Sequence, residues 1–136
     1  MAGLAACSSP DKPISENGAP SPATAAEIAL MSKHDSLMAQ TDQLMRLKGK
    51  LSGYHTEAVA PYIRGLQAAD NAMMGWMHQY KSPDSTATAE ARLAYFQQQQ
   101  DKLKAVQGRF RSSLDSATRF VTQHPPAGEV APSSSK

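Results

Sequence analysis

Residues 30–51, LMSKHDSLMAQTDQLMRLKGKL, decide the fold. Leucine stands at Leu30, Leu37, Leu44 and Leu51, and methionine stands beside it at Met31, Met38 and Met45. A seven-residue spacing keeps side chains on one slowly drifting helical face, so the segment predicts a helix with a continuous apolar seam. Upstream, Ser21 followed by Pro22 supplies a cap and a first-turn proline. Downstream, Gly49 and Gly53 weaken the helix, and a break falls near Gly53 to Thr56.

The same spacing returns twice. Val59, Ile63, Leu66, Met73, Met77 and Tyr80 step by threes and fours, with Pro61 tolerable only near the helix start. Residues 81–86, KSPDST, interrupt the pattern, and Ser85, Thr86 and Thr88 are suitable caps for a third helix. Leu93, Phe96, Leu103, Val106, Phe110, Leu114, Ala117 and Val121 then form a third seam that His124 and two prolines end. These segments predict an all-α protein, an antiparallel up-down-up three-helix bundle with coiled-coil-like seams, helices at about 24–52, 57–81 and 86–123. No such helix is stable alone, so the seams must pack together. A long hairpin that closes its core by dimerising is the competing arrangement, which leaves a homo-oligomer open. A disordered tail is expected over 124–136.

Composition narrows the function classes. The chain has 136 residues and a formal net charge of +2, enough for one domain and too balanced in its totals for a dedicated polyanion binder, so no nucleic-acid partner is expected. No apolar run approaches the ~20 residues that span a bilayer. One cysteine excludes an intrachain disulfide and a CxxC zinc site. GxGxxG, GxxxxGK[ST], HExxH and GxSxG strings are all missing, so a non-enzymatic role is expected.

The single cysteine is the address. Leu4-Ala5-Ala6-Cys7 resembles a bacterial lipobox, in which the signal peptide is cut before a cysteine whose sulfur carries diacylglycerol. Residues 1–6 then read as the remnant of a signal peptide, with Met1 an internal methionine of a longer product. Residues 7–23, with Pro10, Pro13, Pro20 and Pro22, read as a flexible tether of roughly 20–24 Å reach. The expected location is the cell envelope, anchored to a membrane through lipid on Cys7 and facing the periplasm.

Three strings carry a second resemblance: residues 34–38 (HDSLM), 45–48 (MRLK) and 68–78 (AADNAMMGWMH). Over Lys33 to Tyr80 the chain resembles a group of small envelope lipoproteins that go by "viral A-type inclusion protein". The resemblance implies a secreted, lipid-anchored helical protein of unassigned role, and it supplies no catalytic residues.

Folding the first two helices about Gly53 to His55 sets His34 against the region of Met74, Met38 against Asp70 and Met31 against Met77. Met31, His34 and Met38 share a face at three- and four-residue steps. With Met73, Met74 and Met77 they compose a thioether and imidazole set suited to Cu(I) or Ag(I). Core packing outweighs coordination here, because methionine commonly fills gaps between helices. A His34–Asp70 polar pair fixing helix register is the expected use of those two side chains. Lys102, Lys104, Arg109 and Arg111 make the third helix locally basic, read as a solvated face able to touch headgroups or surface polymers. Gln97 to Gln100 reads as surface with one core-level glutamine. The function expected is contact with an unidentified envelope protein. Soft-metal binding and a chaperone role are the alternatives.

Overall fold

The computed structural model describes residues 18–126. Three α-helices, α1 (Pro22–Ser52), α2 (Ala60–Gln79) and α3 (Ala89–Gln123), pack against one another, with a 3-10 turn at Glu57–Val59 leading into α2. Among the described residues this is an all-α helical bundle. Glu27 reaches Arg92 and Tyr54 reaches His124, so α1 and α3 run parallel. His34 lies against Trp76 and Lys48 bonds Gln67, so α2 runs the other way between them.

Local chemistry sets the ends. The Ser21 hydroxyl accepts from the Thr24 amide at 3.3 Å, and Pro22 occupies the first turn. The helix therefore starts at Pro22 rather than Thr24, and Ala23, expected in the tether, is buried. Thr88, among the three suitable caps, takes the role by accepting from the Ala91 amide at 3.1 Å. The α1–α2 connection passes through His55 with φ of 51°, a left-handed conformation uncommon outside glycine that histidine takes more readily than most residues.

Between α2 and α3, Asp84 Oδ1 accepts from the Thr86 amide and hydroxyl, each at 3.0 Å. Those bonds, the backbone one foremost, hold its carboxyl below the ordinary value of 3.8. A depressed folded-state value stabilises the loop above the ordinary pKa, and that support fades as pH falls through the lowered one.

The leucine row does what its spacing implies. Leu30, Leu37, Leu44 and Leu51 are all 0% exposed. Val59 from the 3-10 turn, Leu66, Ala69, Met73 and Trp76 from α2, and Phe96, Leu103, Val106, Phe110, Leu114 and Ala117 from α3 meet them. Burying one such leucine contributes about 1.5–3 kcal/mol, which is why packing rather than helix propensity holds the bundle. Phe96 and Phe110 are enclosed with the aliphatic side chains, and the remaining aromatic rings collect at both ends. At the far end Phe120 meets Tyr54 at 5.4 Å and Tyr62 at 4.9 Å and stacks on His124 at 4.4 Å. At the near end, where the chain enters α1, the rings come with polar atoms.

Candidate functional site

The near end joins the first half of α1, the last turns of α2 and the first turns of α3. Trp76 is buried, and its indole Nε1–H donates to Gln99 Oε1 at 2.9 Å. Gln99 is the one buried polar side chain of the described residues, 6% exposed. Its neighbour Gln100 donates to the Ala26 carbonyl of α1 at 2.9 Å, whereas Gln97 and Gln98 face solvent. The four-glutamine run thus supplies one polar clamp to α2 and one to α1. Successive helical residues point about 100° apart, so adjacent side chains reach two different partners.

Rings build outward from that indole. Tyr80 stacks on Trp76 at 5.0 Å, Tyr95 stands 6.0 Å from Tyr80, and Phe96 meets Tyr95 edge-on at 5.9 Å. The Tyr95 hydroxyl accepts from the Lys81 amide at 3.1 Å, securing the end of α2. Arg92 holds Glu27 at 3.6 Å and lies 5.9 Å over the Phe96 ring, the outer limit of a useful cation–π contact. Tyr80 Oη is shut away from solvent with no group in hydrogen-bonding geometry among the described residues. Burial pushes this hydroxyl above its ordinary 10, with nearby Ser82 tempering the rise. The neutral phenol thus favours folding fully below about pH 10, and that advantage is lost as pH climbs through the raised value.

An orphaned buried hydroxyl costs about 1–3 kcal/mol in desolvation. Tyr80→Phe keeps the ring stack and removes the orphan. Thermal denaturation is therefore expected to show an unchanged or slightly higher midpoint. A marked fall would mean that the hydroxyl has a partner in solution.

The residues singled out from the sequence fall at different depths. Met73 is in the core at 1% exposed, Met31 and Met77 pack half-buried against its edge, and Met38 and Met74 face outward at 38% and 43% exposed. Because Met73 and Met74 are consecutive, no helix can aim both into one pocket. Among the described residues no group of three or more His, Cys, Asp or Glu side chains is placed to hold a metal ion.

The expected His34–Asp70 pair is not formed. The His34 ring sits 6.0 Å from Trp76, two residues beyond the Met74 position anticipated, and its Nδ1 lies 3.1 Å from Asp35 Oδ1. Asp70 is six residues before Trp76, about 9 Å down α2, and a histidine at the Trp76 level finds its own neighbour first. Asp70 is half-buried without a hydrogen bond or ion pair among the described residues, its carboxylate reaching water. Cys7, most of the tether and residues 127–136 lie outside the described residues.

The polar atoms of the near end hold three helices together; none of them pairs a base with a nucleophile. Sequence reasoning anticipated one buried glutamine but not its indole partner, nor the Trp76–Tyr80 stack. The only available sign was the crowding of Trp76, Tyr80, Tyr95 and Phe96 within 21 residues either side of the predicted loop. Comparison with protein-family models, curated proteins and solved structures finds no match for this chain.

Proposed function

We propose that this chain is a non-enzymatic envelope protein, held to a membrane by lipid on Cys7, whose bundle contacts another envelope component on the periplasmic side. The observation that carries the reading is Leu4-Ala5-Ala6-Cys7 followed at once by a proline- and serine-rich stretch and then by a helical rod. Small side chains before the cysteine suit a peptidase groove, and a tether lets an anchored domain reach out from the surface. No helix among the described residues is long and apolar enough to cross a membrane, so attachment by acyl chains is the mode the sequence favours. The string from Ala68 to His78, with its resemblance to envelope lipoproteins, supports the same location.

The methionines lie at different depths, Met73 inside, Met31 and Met77 at the core edge and Met38 and Met74 outside, which disfavours one shared thioether site for Cu(I). Mass spectrometry of the gene product from its native host is the test. A diacylglyceryl adduct on Cys7 is expected, and an unmodified Cys7 overturns the anchor.

A further inference from the structure

Along the distal part of the α1–α3 seam, two abutting hollows of about 500 and 560 Å³ share Gln43 and Thr118 and form one open trough. Its cations are Arg46 and Lys50 from α1 and Arg111 and Arg119 from α3, and its one carboxylate is Asp115. Arg46, Arg111 and Arg119 are exposed and make no hydrogen bond or ion pair among the described residues. Gln40, Gln43, Gln107, Thr118 and Thr122 supply amides and hydroxyls, over a floor that includes Leu47 and Val121. From Gln107 to Thr122 the trough runs about 22 Å at helical rise, room for a run of repeating units rather than one small ion.

We propose that this trough binds an anionic polyhydroxylated polymer, an extended sugar or polyol chain bearing carboxylate or phosphate groups. Guanidinium forks match either anion two bonds at a time. Glutamine amides and threonine hydroxyls both donate and accept, as a hydroxyl-rich chain requires. A hollow recessed between two helices admits a narrow chain, whereas a flat bilayer meets only its rims. No aromatic side chain lines the trough, so the stacking platforms that hold single-stranded nucleic acid are missing from it. The proposal does not depend on lipid at Cys7.

The helix carries its own control. Lys102 and Arg109 lie about half a turn from Arg111 and outside the trough, so removing them deletes the same charge from the opposite side. The experiment is a titration of the full chain with fluorescent oligogalacturonate, fluorescent oligo(glycerol phosphate), neutral dextran and phosphatidylglycerol vesicles. Binding to one or both anionic oligomers and not to dextran is expected, and which oligomer binds identifies carboxylate or phosphate as the group read. Arg111→Gln with Arg119→Gln should weaken that binding about tenfold or more, two charge-assisted contacts being lost. Lys102→Gln with Arg109→Gln should change it less than about twofold, as expected for screened exposed charges. Both double variants replace exposed side chains, and their circular dichroism should match the parent. Failure of both oligomers to bind, equal weakening by the two variants, or binding to vesicles alone would each overturn the proposal.

Discussion

Leu44→Ala is expected to destabilise the bundle by about 2–5 kcal/mol, while Met45→Ala one residue away should change stability by less than about 0.5 kcal/mol. Leu44 is 0% exposed and belongs to the central cluster; Met45 is 52% exposed. Removing three buried carbons from Leu44 loses their transfer free energy and leaves a cavity that the flanking helices close only in part. Leu44 lies in the middle of the core among fully buried neighbours, whose close packing leaves little slack to fill the gap. Met45 already spends half its surface in water, so truncation removes little burial. Urea titration followed by circular dichroism measures both. A loss below about 1 kcal/mol for Leu44→Ala would show that the leucine row is not enclosed, and with it the helix phasing fails.

That contrast also shows why the fold was legible. The two heptad series of α1 differ by one residue, about 100° of rotation, and that rotation is enough to put every leucine inside and Met38 and Met45 outside. On α3 the anticipated seam holds from Phe96 to Ala117, with Leu93 and Val121 half-buried at its ends, where the bundle is no longer covered on all sides. What periodicity does not report is the length of chain consumed between helices. The 3-10 turn at Glu57–Val59 and the left-handed His55 lengthen the first connection, so α2 starts later and His34 meets Trp76 instead of Met74. A slip of two residues moves a side chain by about 3 Å, enough to replace one partner by another.

The candidate site was correspondingly less legible than the core. Its methionines, spaced for one face on each helix, differ in depth because helices of a three-helix bundle expose a large share of their circumference. Met31 and Met77 flank the core while Met38 and Met74 stay outside it. Its histidine turned to the adjacent Asp35, a local bond that is always within reach, whereas Asp70 required the register to be known. The clamp residue is a different case. A run of four glutamines hides which one points inward, and only the phase of Phe96, Leu103 and Phe110 selects Gln99, three residues beyond Phe96 and four before Leu103.

Gln99 is accordingly the position where a small chemical change has the second-largest consequence. Gln99→Ala is expected to cost about 1–3 kcal/mol for the stranded indole N–H, before any cavity is counted. The Trp76 indole is buried, and among the described residues its Nε1–H has only Gln99 Oε1 as acceptor. Gln99→Leu fills most of the space but leaves the same donor orphaned, so it should remain destabilising. Trp76→Phe alone strands the glutamine amide instead. Combining Trp76→Phe with Gln99→Leu removes both polar partners, and the double variant should be less destabilised than the sum of the two single ones by about 1 kcal/mol or more. Urea denaturation followed by circular dichroism gives all the stabilities. In Gln99→Leu the emission of Trp76, the chain's one tryptophan, reports the indole's loss of its acceptor directly. Strict additivity across the four proteins would mean that the indole and amide do not interact in solution, and the near end would then be held by ring packing alone.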